Sequence, residues 1–162
     1  CSTCDISTYN KKVLPSIVPG SKLLFVGESP GMSESVCGEP FVGPSGDELR
    51  YLMSEVDPKL KYSIINCVQC TPFTSPSLAD IREPLLSEME GCGGHLLRVI
   101  NYLKPKWIVA LGRIAEKNLK RLHIPHLFLY HPSYIMQSKH DELERTRFIV
   151  DLKGYISGEH ES

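Results

Sequence analysis

Long apolar runs are missing from this sequence. No stretch approaches the roughly 18 consecutive apolar residues of a membrane-crossing helix, so no membrane association is expected. A basic excess is missing too. The formal net charge is −1 at pH 7, which leaves any nucleic-acid binding to a local strip of cations rather than to a field over the whole surface. No low-complexity tract interrupts the chain and no secretory signal is visible. No methionine stands at position 1, so a few residues are expected ahead of Cys1. The remainder has an ordinary globular composition, 41% hydrophobic and 23% charged. A single domain over residues 1–162 is expected.

Cysteine, by contrast, is plentiful. Six residues (Cys1, Cys4, Cys37, Cys67, Cys70 and Cys92) are many for a reducing compartment. A disulfide-stapled secreted protein is one reading, but the ordinary core and the lack of a secretory signal favour metal or cluster ligation. Cys1-Ser-Thr-Cys4 has the spacing of a metal-binding hairpin, in which a tight turn directs two thiolates at one ion.

Hydrophobic patterning orders the rest. Residues 1–20 are polar, contain Pro15 and Pro19, and read as an arm. Strands are expected at 22–26, 62–66, 106–111 and 126–130. Helices are expected at about 45–56, 85–103, 113–122 and 142–155, the first capped by Ser45 with Glu48 closing a capping box. Glycines 91, 93 and 94 weaken the second helix, and residues 71–84 form a proline-broken loop. Strands alternating with helices make the fold class α/β, a parallel sheet with helices on both faces. Glu28, Asn66 and His131 then fall just past the carboxyl ends of three strands, the rim where open parallel sheets bind ligands. Gly27-Glu28-Ser29-Pro30-Gly31 brings an acid to that rim. Gly38-Glu39-Pro40-Phe41-Val42-Gly43-Pro44-Ser45-Gly46 brings a flat ring. An acid and a ring are parts suited to holding and attacking a planar heterocycle.

These two segments resemble the first motifs of the uracil-DNA glycosylase superfamily, and most closely of its iron–sulfur branch, family 4. Asn66-Cys67-Val68-Gln69-Cys70, Lys104-Pro105-Lys106 leading into Val109-Ala110-Leu111-Gly112-Arg113, and His131-Pro132-Ser133-Tyr134 are similar to its later motifs, in the same order. The resemblance implies a three-layer α/β/α sandwich around a four-stranded parallel sheet. It implies cluster ligation by Cys1, Cys4, Cys70 and Cys92, with the arm at 1–20 carrying the first two. Four thiolates suit a 4Fe–4S cluster, with zinc as the alternative. Cys67 is expected in the core and Cys37 as a loop thiol.

The activity implied is removal of uracil from DNA by cleavage of its bond to deoxyribose, after the base is flipped from the stack. Phe41 would stack on the base, and Asn66 would read its O4 and N3–H edge, which cytosine presents with the opposite polarity. His131 would donate to the uracil O2 as negative charge builds there. Glu28 would position the water, with Glu34 on the same loop as a second candidate, while the Ser29 hydroxyl would hold that water. Backbone around Gly27 and Gly31 would approach the substrate closely. Tyr134, Ile135 and Met136 would wedge into the DNA. Gly43, Ser45 and Ser133 would contact phosphate. Two departures stand out: Ser29 replaces the branch's usual Ala or Gly, and Thr71-Pro72-Phe73-Thr74 replaces an Asn-Arg-x-Pro loop. A second reading is therefore a noncatalytic nucleic-acid-binding relative that keeps the cluster. The expected partner is uracil-containing DNA, and the expected state a cytoplasmic monomer of bacterial, archaeal or viral origin.

Overall fold

The computed structural model describes residues 12–74 and 80–158. Cys1 and Cys4, expected as cluster ligands, lie outside the described residues, as does part of the loop after Cys70. Four strands, β1 (Leu23–Gly27), β2 (Tyr62–Asn66), β3 (Trp107–Leu111) and β4 (Leu127–Leu129), form one sheet in the order β2-β1-β3-β4. All three pairings are parallel, and Gly27 stands opposite Asn66 in the register. Every residue of β1 is buried, as expected of a central strand covered on both faces.

Alternate strand residues enter two separate cores. Leu23, Phe25, Ile64, Val109 and Leu111 face Leu49, Leu52 and Met53 of α2 (Pro44–Val56), Ile135 of α5 (Pro132–Gln137), and Phe148 and Leu152 of α6 (Asp141–Ser157). Leu24, Val26, Ile65, Ile108 and Ala110 face Met89, Leu96 and Leu103 of α3 (Leu86–Leu103), and Ala115 and Leu119 of α4 (Arg113–Arg121). The result is a three-layer α/β/α sandwich. Its layering follows from the winding. The chain steps from β1 to β2 in one direction, then returns across β1 to β3 and β4. Crossovers of one hand therefore place α2 on one face and α3 and α4 on the other. The reversal makes a switch point between β1 and β3, where the loops leaving the two strands diverge and open a crevice.

Several local expectations need correction. The α2 cap is Gly43, with Pro44 in the first turn, rather than Ser45. A proline there lacks only an amide hydrogen that the helix leaves unbonded, and its fixed φ suits the first turn. Glu48 closes no box. It accepts from Arg145 Nε at 2.6 Å, joining α2 to α6. Two six-residue helices, α1 (Met32–Cys37) and α5, escape sequence reading because neither is long enough to show an apolar stripe. The glycines of α3 are tolerated within an unbroken 18-residue helix. Residues of the arm cover the outer edge of β2: Ser16 pairs with Ile64 in both directions at 2.9 Å, and Val13 N donates to Gln69 O at 2.7 Å. An edge strand covered in this way offers no template for another chain.

Candidate active site

The rim of the sheet holds a cavity of about 150 Å³, sized for a single small ring rather than a nucleotide pair. Glu28, Ser29, Gly31, Glu34, Phe41, Ser45, Asn66, His131 and Ser133 line it. Residues far apart in sequence, each expected at the site, are thus brought to one place.

The wall of the cavity is built around Glu34. Its Oε1 accepts from Gly31 N at 3.0 Å, and its Oε2 accepts from Val42 N and Gly43 N at 3.0 and 2.9 Å. One carboxylate so ties the loop after β1 to the segment entering α2. Both oxygens are engaged, so Glu34 clamps the wall of the cavity. The amides of Gly31 and Gly43, expected to meet substrate and phosphate, are taken up by this clamp.

Phe41 is held in a strained backbone conformation, with φ of +53°. The left-handed region costs a residue with a Cβ about 1–2 kcal/mol, and persists only where surroundings enforce it. Here Arg50 Nη1 donates to Phe41 O at 2.7 Å. A Cβ on Gly46 would lie 1.7 Å from that carbonyl oxygen, so only glycine admits it. Gly27 plays the same part on the strand: its added Cβ would meet Asn66 Oδ1 at 2.4 Å and the Phe41 ring at 3.0 Å. Arg50 was not expected at the site, and Gly46 was expected only as part of a loop presenting amides to phosphate. The sequence carries no local signal for either role, since both act on the Phe41 carbonyl.

Asn66 ends β2, 3% exposed, with Oδ1 buried and lacking any hydrogen-bond partner. Its backbone carbonyl accepts from Gln69 Nε2 at 2.8 Å, which fixes the turn but leaves the carboxamide pointing at the cavity. His131 sits opposite, its ring centroid 5.7 Å from that of Phe41. His131 also caps α5: Nδ1 accepts from Ser133 N at 3.1 Å and lies 2.8 Å from Ser133 Oγ. With Nδ1 an acceptor, the neutral ring carries its hydrogen on Nε2. Burial depresses the His131 pKa to about 4, partly opposed by the charge of Glu34. The imidazole is therefore a neutral donor at physiological pH. Glu28 lies at the cavity mouth, its pKa raised by burial and then by the neighbouring charge of Glu83.

The loop after His131 divides. Tyr134 is 50% and Met136 41% exposed. Ile135, expected as a DNA wedge, is 1% exposed and belongs to the core beside Phe148 and Leu152. One helical turn cannot present three consecutive side chains to one surface, so the middle one turns inward. Arg82 is also spoken for, meeting both oxygens of Glu88 at 2.7 and 2.9 Å.

On the far face, Cys70 follows β2 and Cys92 lies within α3, each 6% exposed. Both are buried, and they are the described members of the expected ligand set. Among the described residues no group of three or more metal-binding side chains gathers. Cys67 is buried in the apolar core, as expected, and desolvation pushes its thiol up to about 12.

Fold and site together are an α/β sandwich with a ring-sized pocket at the strand ends, lined by a carboxamide and an imidazole. The profile of the uracil DNA glycosylase superfamily matches residues 15–153. Similar curated proteins are the type-4 uracil-DNA glycosylases of Archaeoglobus fulgidus, 34% identical over 72% of this chain and 57% of the relative, and of Pyrobaculum aerophilum, 35% identical over 75% and 60%. The enzyme of that name from Thermotoga maritima is 32% identical over 90% of this chain and 82% of its own length. The chain thus spans little more than half the length of the two archaeal relatives. In fold it is similar to a Methanosarcina acetivorans protein solved by solution NMR, with a TM-score of 0.55 at 12% identity, covering 89% of this chain and 96% of the other. The chain belongs to the uracil-DNA glycosylase superfamily. Among the described residues no helix is long and apolar enough to cross a membrane.

Proposed function

We propose that this chain is a monofunctional uracil-DNA glycosylase of DNA repair, which takes a flipped uracil into the cavity and hydrolyses its N-glycosidic bond. The observation that carries this reading is the carboxamide of Asn66, which lines the cavity beside Phe41 and whose buried Oδ1 has no hydrogen-bond partner. A buried acceptor left unpaired costs about 1–3 kcal/mol, a cost that the N3–H of uracil would remove. The amide nitrogen of the same side chain donates to O4, so cytosine, with its reversed edge, is refused.

The bond from sugar C1′ to base N1 breaks with its electron pair leaving on the uracil. His131 Nε2–H donates to O2, where much of that charge collects, without transferring its proton. A neutral donor is suited to this task, because the pocket need not bury a full positive charge before the substrate arrives. Glu28 orients the water that adds to C1′ and takes up its proton, a role helped by a carboxyl whose pKa burial has raised. Ser29 lines the cavity beside it and holds the water. Glu34 shapes the wall through its three amide contacts. Tyr134 and Met136 meet the DNA at the exposed end of α5.

We further read Cys1, Cys4, Cys70 and Cys92 as the ligands of a 4Fe–4S cluster, supported by the burial of the latter two. When bound, the cluster serves to tie the arm to β2 and α3 and takes no part in the reaction. Purified protein should carry about four irons per chain and absorb broadly near 400 nm; colourless protein with one zinc would replace the cluster by the metal.

Incubation with a uracil-containing oligonucleotide followed by alkali tests the activity. Strand cleavage at the uracil is the expected result. Retarded but intact DNA would make the chain a noncatalytic binder.

A further inference from the structure

Beside the base cavity the rim opens into a second, larger hollow of about 450 Å³, which shares Glu28, His131 and Ser133 with it. The strand order β2-β1-β3-β4 gives this groove a direction. At the β1 end stand Glu28 and Glu83. Toward β3 and β4 stand Arg113, Lys117, Tyr130 and Tyr134. The two acids and the two cations thus face the same groove from different ends.

The aromatic end is already ordered. Tyr130 and Tyr134 stack with centroids 4.5 Å apart and planes 27° apart. The Arg113 guanidinium lies 5.3 Å from the Phe128 ring and 6.0 Å from the Tyr130 ring, which holds its charge at the groove. Lys117 follows one turn later on α4, and both cations are exposed. Tyr134 is half exposed although its partner is not. A second flat ring could therefore be added on the open side of Tyr134 without disturbing the pair.

We propose that this groove is a subsite for the unpaired nucleotide adjacent to the excised one. Its base continues the Tyr130–Tyr134 stack, and its phosphate rests against Arg113 and Lys117. The inference rests on the glycosylase reading for the identity of the strand, but not for the subsite itself. Two features fit a single strand rather than a duplex. A base can reach an aromatic platform only if its own stacking partner has left it, and such platforms accept any base because each has a π-face. The acids at the opposite end repel phosphate and so orient the backbone with its charge toward β3 and β4.

The test is a cycle between enzyme and DNA. Single-stranded oligonucleotides carrying one uracil are prepared with a normal base, or an abasic spacer, on either side of it. Affinity is read by fluorescence anisotropy and uracil release by single-turnover kinetics. For the unaltered chain, the spacer on one side should weaken binding about tenfold. In Tyr134→Ala that penalty should vanish, since no ring remains for the base to meet. Arg113→Gln should weaken binding to all the oligonucleotides alike and flatten the salt dependence by about one phosphate contact. A spacer penalty as large in Tyr134→Ala as in the unaltered chain would overturn the subsite, as would no penalty on either side. Coupling in affinity without any uracil release would support the subsite and remove the glycosylase reading instead. Circular dichroism of both variants separates a local loss from unfolding; an unfolded Tyr134→Ala is replaced by Tyr134→Leu, which keeps the bulk and removes the ring.

Discussion

Glu34 and Asn66 line the same cavity, yet their hydrogen bonding is opposite. Both oxygens of Glu34 are taken up by three backbone amides of its own wall. The carboxamide oxygen of Asn66 is more deeply buried than the half-buried Glu34 and has no hydrogen-bond partner. A buried polar group is normally satisfied, so the unpaired oxygen of Asn66 stands out against the three bonds of Glu34. The same contrast divides the two nitrogens of His131. Nδ1 is engaged in capping α5, and this engagement leaves the ring hydrogen on Nε2. In this pocket, polar atoms that are used internally give shape, and on the glycosylase reading proposed above those left over give recognition.

The sharpest way to break that contrast is Asn66→Asp. The change removes the donor to O4 and buries a negative charge against the departing uracil anion. Single-turnover release should fall about a thousandfold, the upper range for loss of one such donor, with weaker binding as well. Unchanged release would mean that Asn66 only shapes the turn after β2.

His131→Ala should cost less, about a hundredfold or 3 kcal/mol in the chemical step, because one donor is lost and no charge is added. DNA affinity should stay near that of the unaltered chain, since the interaction strengthens as charge develops. A parallel collapse of affinity would make His131 an organiser of the α5 loop.

Glu34→Gln should reveal itself in stability rather than chemistry. The new amide nitrogen would face backbone N–H donors, and a loss of about 2 kcal/mol is expected from the unpaired groups. The urea midpoint should drop with little change in slope. If release per folded molecule instead falls as far as in His131→Ala, Glu34 handles the water and the clamp is secondary.

The smallest effect concerns pH. The folded-state pKa of His131 is depressed to about 4 from the ordinary 6.5. Its stabilising contribution is complete above 6.5 and declines as pH falls from there toward 4, because only the unfolded chain takes up the proton in that window. Release should accordingly show no inflection from His131 between pH 8 and 5. A ring titration by NMR with a midpoint near 6.5 would remove the neutral-donor assignment.

Read from the residues alone, the strands and long helices were legible, because apolar runs bounded by glycine and proline are local signals. So was the gathering of Glu28, Asn66 and His131, since parallel winding sends every strand's carboxyl end to one rim. The order of motifs was enough to indicate the superfamily. Tertiary structure alone decided the rest. Glu34 reads in sequence as a loop acid like Glu28, and only the approach of residues 42 and 43 makes it a clamp. Ile135 reads like its neighbours Tyr134 and Met136, and only the short helix α5 turns it into the core. Arg50, Gly46 and the Tyr130–Tyr134 stack gain their meaning from contacts between separate elements. Periodicity reports which face of an element is apolar. It does not report which polar atoms find a partner, because that depends on distances between segments that the chain brings together only on folding.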